Sequence, residues 1–483
     1  MTINQELINR FNQRYQENPT NQAVESAIAK VGINDASLNN NTVRSHPFVF
    51  SDETKRGDMT NQKSSGRCWM FAALNTARVD TMAALNVKTF EFSQNYALFW
   101  DKLEKANYFL DNIIETVDEP LNSRLVQHLL NSPLEDGGQW DMFANLLKKY
   151  GAVPKSVMPE TYHSSNTGHL VAVLTHYLRA FAKDLRDQAE QGASTEALTE
   201  QKEEMLYVIY NVLTKALGTV PKSFRYEYRD KDDVFHRLEE TTPQAFFKKY
   251  VDWHLDNLVS LIHAPTDDKP MGRAYTVKFL GTVAEGEPIT YINTPIDVLK
   301  QAAIASIQDG KPVWFGCDVG KMSHRDSGIM DKDLYGYEAT LGHPLRLDKA
   351  ARLDYGESLL THAMVLVGVD LADDGSPLTW KVENSWGEKV GDKGIFSMSD
   401  AWFDEYTYQV TVDRKYVVQS LESYNGYRSD DSDNSVVSTV KYSADTLSPD
   451  QSTIVSFISS IQHTLKKKHF PHMAGSIRQL IIH

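Results

Sequence analysis

The most informative stretch of the sequence is Asn61-Gln62-Lys63-Ser64-Ser65-Gly66-Arg67-Cys68-Trp69-Met70-Phe71. A polar, glycine-containing loop passes here into an apolar, alanine-rich segment that ends near Leu85, which predicts a helix beginning at Cys68. A thiol at a helix start lies near the positive end of the helix dipole, which lowers its pKa toward the nucleophilic thiolate. Gln62 is close enough to turn its amide toward the same thiol as an oxyanion donor. A lone cysteine in this position is more often a small buried residue, so the interpretation depends on the rest of the chain.

His362 is the candidate base. It stands near the start of the apolar, β-branched run Leu360–Val369, which predicts a strand beginning at this histidine. A second strand-like run, Trp380–Gly387, contains Asn384 near its end. If the two strands pair across the Asp-Asp-Gly turn at residues 373–375, His362 and Asn384 come together.

Cys68, His362 and Asn384 would then supply a nucleophile, a base and a group that orients the base. Asn384 would accept a hydrogen bond from one imidazole nitrogen and leave the other facing the sulfur. Trp386 would cover this pair from water. The constellation favours a thiol hydrolase over a structural cysteine.

At these residues the chain resembles the papain-like cysteine peptidases. Longer runs resemble the bacterial aminopeptidase C branch of the bleomycin hydrolase family. These runs are residues 62–75, 90–96, 136–142, 153–160, 353–359 and 380–387. The resemblance covers residues 1–418. It implies an α+β, two-lobed papain-like fold, in which a helical half carries the cysteine and a β-sheet half carries the histidine and the asparagine.

The resemblance also implies an activity. It implies an intracellular, cytoplasmic aminopeptidase that hydrolyses peptide bonds at peptide N-termini, with Cys68, His362 and Asn384 as catalytic residues and Gln62 in the oxyanion hole. We predict no cofactor, and the ligands that the resemblance implies are peptide substrates.

Two further features follow from the same resemblance. Gly137 and Gly138 are expected to lie along the substrate cleft, where glycine lets a peptide main chain approach closely. Members of the family form homohexamers whose sites face an inner chamber. A helical insertion between the two halves is expected to supply contacts between copies.

We predict five segments along the chain. They are 1–45, an N-terminal segment packed on the body; 46–159, the helical half with the nucleophile; 160–265, the helical insertion; 266–418, the β-rich half; and 419–483, an atypical tail. In ordinary papain-like enzymes the histidine follows the cysteine by about 130–150 residues, and the insertion explains the much longer gap here. A cleavable inhibitory propeptide is the alternative interpretation of residues 1–45.

Apolar periodicity adds local predictions. A helix with an aromatic face is expected over Ser93–Tyr108, two long helices over about 168–190 and 197–217, and another opening at Pro243. Three β-like runs then surround a helix at Val298–Ile307. These runs are Ala274–Leu280, Ile289–Ile292 and Pro312–Phe315.

Composition limits the partners and the compartment. The net charge of −14 argues against a nucleic-acid binder, which needs a basic surface. The cysteines are Cys68 and Cys317, and Cys317 is expected to be a core thiol. Ser65 stands where secreted papain-like enzymes carry a disulfide cysteine, and a layout without disulfides fits a reducing compartment. Neither a signal-peptide pattern nor a long apolar run is present, so no membrane contact is expected.

Metal and nucleic-acid sites have weak signals. His163, His169 and His176 are spaced by six and seven residues, unlike the i, i+4 pairs of helical zinc sites. We therefore predict no metal. The cluster Lys466-Lys467-Lys468 is more typical of a solvated helix end than of a nucleic-acid site.

The tail departs from the family pattern. Family members end in an arm, Trp-Asp-Pro-Met-Gly with a few small residues, whose terminal carboxylate holds the substrate's α-ammonium group. Residues 419–483 lack this arm, which predicts a weakened preference for a free N-terminus and some endopeptidase activity. A cysteine endopeptidase is thus the alternative function. A non-catalytic scaffold or nucleic-acid-binding relative is a further alternative, which the complete constellation with Gln62 argues against.

Overall fold

The computed structural model describes residues 1–251 and 253–417. Helices surround one large sheet in an α+β architecture. The α-helices of the described ranges are α1 Gln5–Gln16, α2 Thr20–Val31, α3 Ile33–Ser37, α4 Asn40–Ser45, α5 Cys68–Leu85, α6 Gln94–Glu115, α7 Arg124–Asn131, α8 Trp140–Tyr150, α9 Tyr162–Ser165, α10 Thr167–Glu190, α11 Thr195–Leu217, α12 Pro243–Tyr250, α13 Ile296–Gln308, α14 Tyr337–Leu341, α15 Lys349–Asp354 and α16 Asp400–Tyr406. The predicted tail, residues 419–483, lies outside the described residues.

The strands form a mixed sheet and a separate hairpin. In the described ranges they are β1 Asp52–Glu53, β2 Phe224–Arg229, β3 Phe235–Thr241, β4 Leu258–Ile262, β5 Arg273–Tyr275, β6 Tyr291–Asn293, β7 Val313–Cys317, β8 Ser323–His324, β9 Ile329–Met330, β10 His362–Leu371, β11 Pro377–Glu383, β12 Ile395–Ser399 and β13 Thr407–Asp413. The sheet order is β5-β6-β4-β13-β7-β10-β11-β12-β9-β8, and β1 pairs with β10. β12–β9 and β4–β6 are parallel, whereas the other neighbours are antiparallel. β2 and β3 form the hairpin.

Helix α5 is the central helix of the helical half and begins at Cys68, as predicted. Twelve of its 18 residues are buried, because the segment is apolar on several sides. Asn86 ends the helix in the left-handed conformation, with φ of 56°. The helix packs on β10, which brings its N-terminal end to the start of that strand.

Strand β10 lies in the middle of the sheet and sends alternate side chains into two cores. Ala363, Val365 and Val367 join the core that contains α5. Met364 and Leu366 join the core on the opposite face, with α13 and α16. Alternate residues of a strand face opposite sides of the sheet, and both sides of β10 are covered by a core. Because each side needs apolar residues, the strand is apolar along its whole buried length.

The predicted insertion shares its core with the helical half. Leu174 on α10 and Ile209 on α11 belong to the same buried cluster as Trp69, and both helices pack on α6. These two helices occupy the predicted positions. The β2–β3 hairpin was not predicted. Strand β4 lies inside the range 160–265 but belongs to the large sheet, so the β-rich half begins before residue 266.

Four helices, rather than one helix and a polar connector, form the N-terminal 45 residues. Leu38 and Val43 pack against Leu334 and Tyr335, so the end of this segment contacts the body. On α1, Phe11 remains 58% exposed.

The predicted strand Ala274–Leu280 is wrong beyond Tyr275, where β5 ends. Phe279 adopts the left-handed conformation, with φ of 64°, which interrupts a regular strand. Val277 and Phe279 instead pack beside the main core, so their apolar character reflects burial outside the sheet. Strands β6 and β7 and helix α13 form near the predicted runs, with shifted ends.

Residues 1–251 and 253–417 contain neither a candidate membrane-spanning helix nor a candidate metal cluster. No helix there is long and apolar enough to cross a bilayer. No group of three or more His, Cys, Asp or Glu side chains there is placed to hold a metal ion.

Candidate active site

Three elements deliver the predicted catalytic side chains to one place. Cys68 is the first residue of α5, His362 is the first residue of β10, and Asn384 directly follows β11. β10 and β11 pair antiparallel around the turn at residues 373–375, which confirms the predicted pairing. His362 also lies opposite Cys317 of β7, and that thiol is fully buried, as predicted.

The three side chains form a hydrogen-bonded line. His362 Nε2 lies 2.9 Å from Asn384 Oδ1, and the imidazole also hydrogen-bonds with the Cys68 thiol. Asn384 Oδ1 accepts the Ser385 backbone N–H as well, at 2.8 Å, so this atom is an acceptor and His362 Nε2 donates to it. The second imidazole nitrogen is left for the sulfur.

The surroundings of Cys68 and His362 shift the pKa of each side chain toward its charged form. Burial disfavours the thiolate, but the charge of His362 and its hydrogen bond outweigh burial and lower the pKa of Cys68. Burial likewise disfavours the imidazolium, but Cys68 and the hydrogen bond to Asn384 raise the pKa of His362. Opposite shifts in adjacent groups favour a thiolate–imidazolium pair.

Trp386 covers the histidine, as the sequence predicts. Its ring centroid lies 5.0 Å from that of His362, with the planes tilted by 38°. His362 and Asn384 are both buried, so little water reaches the bond between them.

Gln62 is fixed by contacts on both ends of its amide. Nε2 donates to the Ser65 carbonyl at 2.7 Å, and Oε1 accepts from the Ser385 hydroxyl at 2.6 Å. The Gln62 backbone N–H also donates to the Ser385 carbonyl, at 2.8 Å. The loop before the nucleophile is therefore joined to the residue that follows Asn384.

An ion pair between a buried arginine and a partly exposed glutamate, which was not predicted from the sequence, also holds this loop. Arg67 is fully buried and donates to both carboxylate oxygens of Glu160, at 3.0 and 2.8 Å. Its Nε donates to the Ser65 hydroxyl at 2.9 Å. Both charges lie inside the runs that carry the family resemblance, which is the signal that could have revealed them.

Asp136 is a further residue whose role was not predicted from the sequence. Its carboxylate accepts the Gly66 backbone N–H at 3.0 Å and pairs with buried Lys102 at 2.9 Å. Its carbonyl accepts the Trp69 indole N–H at 2.8 Å. The glycine-containing turn is therefore attached to both sides of Cys68.

The two predicted cleft glycines have different surroundings. A Cβ on Gly138 would lie 2.7 Å from the Trp69 ring, whereas a Cβ on Gly137 would meet nothing within 4 Å. Gly138 is therefore required by packing against Trp69. A role of either glycine in substrate binding stays a prediction.

The family model for the Peptidase C1-like family matches residues 2–429. The chain belongs to the Peptidase C1-like family. It is thus a cysteine-type peptidase with a papain-like α+β fold. Aminopeptidase C of Listeria monocytogenes is 49% identical over 421 residues, which are 87% of this chain and 95% of that protein.

Two further relatives are similar to this chain at nearly the same level of identity. Aminopeptidase C of Streptococcus thermophilus is 47% identical over 411 residues, covering 85% of this chain and 92% of that protein. The crystal structure of PepW from Lactobacillus rhamnosis HN001 superposes with a TM-score of 0.85 at 48% identity, covering 87% of this chain and 95% of that one. The similarity therefore spans nearly the whole of each relative.

Proposed function

We propose that this peptidase is an aminopeptidase, which releases the N-terminal residue of peptides with Cys68 as nucleophile. The sulfur attacks the carbonyl carbon of the first peptide bond, so a C–S bond forms and the carbonyl oxygen becomes an oxyanion. The Cys68 backbone N–H and the second Nε2 hydrogen of Gln62 stabilise this oxyanion. His362 then protonates the leaving amine as the C–N bond breaks.

Water completes the cycle. Neutral His362 removes a proton from water, which attacks the thioester and releases the N-terminal amino acid, and the thiolate–imidazolium pair is restored. Asn384 holds the imidazole in the required orientation throughout. The hydrogen-bonded line of Cys68, His362 and Asn384, with opposite pKa shifts at its first two members, supports the thiol chemistry. The similarity to aminopeptidase C of Listeria monocytogenes over 95% of that protein is the observation that carries the aminopeptidase proposal.

The test compares an aminoacyl coumarin amide with its N-acetylated twin. An aminopeptidase must recognise the free α-amine, and a buried charge pair that is lost typically costs about 2–5 kcal/mol. We expect the free-amine substrate to be hydrolysed faster. Equal turnover of the two twins would contradict aminopeptidase specificity while leaving the thiol chemistry intact.

The second candidate is an endopeptidase with a relaxed need for a free N-terminus. The sequence of residues 419–483 favours it, because no Trp-Asp-Pro-Met-Gly run occurs in these residues. Such an endopeptidase should show only a weak preference for the free-amine substrate over its N-acetylated twin. A preference of a hundredfold or more would reject this candidate and would show that another acidic group fills the arm's role.

We also propose a cytoplasmic homohexamer. Free thiols at Cys68 and Cys317 support a reducing compartment. Large apolar side chains exposed along residues 160–265 support contacts between copies, among them Tyr162 at 75% and Tyr207 at 62%. Light scattering should give a mass six times that of the 54.7 kDa chain, whereas a monomer mass would reject the hexamer.

A further inference from the structure

A polar cleft of about 540 Å³ lies directly beside the candidate active site. Its volume is within the range of roughly 300–1,000 Å³ that is typical of small-ligand pockets. It is lined by Asn61, Lys63, Ser64, Ser165, Asn166, Arg325 and Trp386. Two of these residues are cationic and none is acidic, although the chain as a whole carries a charge of −14. The cleft is thus a local positive site on an acidic protein.

Both cations are available to a ligand. Lys63 and Arg325 are exposed, and within residues 1–251 and 253–417 neither has a carboxylate partner. The Arg325 guanidinium lies 5.2 Å from the centroid of the Trp386 ring. A cation–π contact of this kind attracts the guanidinium to the face of the ring, and the guanidinium carries N–H donors in a planar fork that suits a carboxylate.

Backbone hydrogen bonds hold the walls of the cleft together. Gly387 N–H donates to the Thr60 carbonyl at 3.0 Å, and Ser64 N–H donates to the Ser165 carbonyl at 3.0 Å. These bonds join the loop before the nucleophile to both neighbouring walls. The cleft is therefore preformed, which lowers the entropy cost of binding.

The backbone of the turn that carries Arg325 is also held in a fixed position. Arg325 lies in the tight turn between β8 and β9, and its carbonyl accepts the Gly391 N–H at 3.2 Å. Gly328, with φ of 68°, approaches Gly391 so closely that a Cβ would lie 2.5 Å from the Gly391 Cα. This turn therefore fixes the position from which the Arg325 side chain extends.

Trp386 places the cleft on the leaving-group side. One wall of the cleft is this indole, and the same indole covers His362. Since His362 protonates the leaving amine in the proposed mechanism, that amine must depart beside Trp386. The residue that follows the scissile bond then enters the cleft.

We propose that Lys63 and Arg325 bind a carboxylate on the leaving part of the substrate, so that short peptides with a carboxylate close to the scissile bond are preferred. This inference rests on the proposed aminopeptidase function. A lysine supplies a point charge and an arginine supplies a planar fork, and both suit a carboxylate. In a dipeptide this group is the C-terminal carboxylate, and in longer peptides it is the side chain of Asp or Glu.

The experiment measures kcat/KM for matched pairs of substrates with one common N-terminal residue. The first pair is a dipeptide and its C-terminal amide. The second pair is two dipeptide amides with Glu or Gln in the second position. An aminoacyl coumarin amide, which has no carboxylate, reports the chemistry alone. The proteins are the wild type, the double variant Lys63→Gln/Arg325→Gln, and the double variant Lys222→Gln/Arg225→Gln, which removes the same charge from exposed positions at the β2–β3 hairpin.

We expect the wild type to prefer the carboxylate member of at least one pair by about tenfold, in line with a hydrogen bond to a charged group. The preference should lie mainly in KM, as for a contact already formed in the ground state, and should shrink with added salt. The cleft variant should lose most of it, and the hairpin variant should keep it. A preference only in the first pair identifies the C-terminal carboxylate as the ligand, and one only in the second identifies the acidic side chain.

Two results would overturn the inference alone. One is turnover of the coumarin amide with no carboxylate preference in either pair. The other is a preference that survives in the Lys63→Gln/Arg325→Gln variant. If the wild type hydrolyses none of the substrates, the proposed function fails and this inference fails with it.

Discussion

At the scale of single residues, the ionisation of Cys68 is the property on which the chemistry depends. His362 lowers the thiol pKa against the effect of burial, so the thiolate should persist at a pH where an ordinary thiol, with a pKa of about 8.5, is protonated. We expect iodoacetamide to alkylate Cys68 at a rate that stays high well below pH 8. In the His362→Ala variant, the rate of alkylation should rise only at a higher pH.

Cys317 is the internal control for that measurement. It is fully buried, and burial raises its pKa well above the ordinary value. Mass spectrometry should find its peptide unlabelled in the native protein. A Cys68 profile that rises only around pH 8.5, as in the denatured chain, would contradict the thiolate–imidazolium pair.

Lys349 gives a prediction about stability and pH. Its buried ammonium donates to the carbonyls of Asp404 and Thr407, both at 2.7 Å, and burial lowers its pKa to about 7. The unfolded pKa is about 10.4. Between these values the unfolded chain binds the extra proton, so the free energy of unfolding should rise with pH, by at most about 1.4 kcal/mol per unit.

Urea denaturation of the wild type and Lys349→Met checks this prediction. The unfolding free energy of the wild type, relative to the variant, should increase from pH 7 to pH 10. A difference that does not change over this interval would mean that Lys349 is protonated equally in both states.

The two neighbouring glycines give a matched pair of substitutions. Gly138→Ala should destabilise the protein by about 1–3 kcal/mol, because its Cβ would overlap the Trp69 ring. Gly137→Ala should change stability far less, because its Cβ enters open space. Thermal unfolding measures both. Equal losses in the two variants would show that packing on Trp69 is not what requires Gly138.

At the scale of elements, one buried ion pair joins the nucleophile helix to the strand before Asn384. Arg78 of α5 donates to Glu383 of β11 at 2.7 Å, and both side chains are at most 2% exposed. Removing one partner leaves an uncompensated buried charge, which costs about 3–5 kcal/mol. Glu383→Gln should therefore lower the free energy of unfolding by an amount of this order in urea titrations.

Glu227→Gln is the control, because Glu227 pairs with Arg237 on the exposed β2–β3 hairpin at 2.6 Å. An exposed pair contributes about 1 kcal/mol or less. If Glu383→Gln were as mild as this control, the Arg78 pair would not hold the two elements together.

The elements that local patterns specify could be predicted from the sequence. Helix α5 follows from an apolar run after a polar loop, and the meeting of His362 with Asn384 follows from two strands around an Asp-Asp-Gly turn. The contact between Arg67 and Glu160 could not be predicted from local patterns. These residues are 93 positions apart, and their pairing depends on how the start of the insertion folds back onto the nucleophile loop.

At the scale of the whole molecule, the main buried core extends across the predicted boundary at residue 160. Residues 160–265 read as a separate insertion because their composition changes, yet α10 and α11 complete the core that contains Trp69. The sequence shows that one face of a helix is apolar, but it does not show which element packs on that face. A core that two segments share therefore cannot be predicted from the sequence alone. The same arrangement explains how the insertion reaches the site, through Glu160 and Ser165.

The activity of the Cys68→Ala variant is the most direct test of the central claim that Cys68, activated by His362 and Asn384, performs peptide hydrolysis. The substrate is the aminoacyl coumarin amide, and circular dichroism confirms that the variant is folded. We expect a loss of turnover of at least about 10⁴-fold, as for nucleophiles that act in a triad. A folded variant that keeps turnover near that of the wild type would contradict the account.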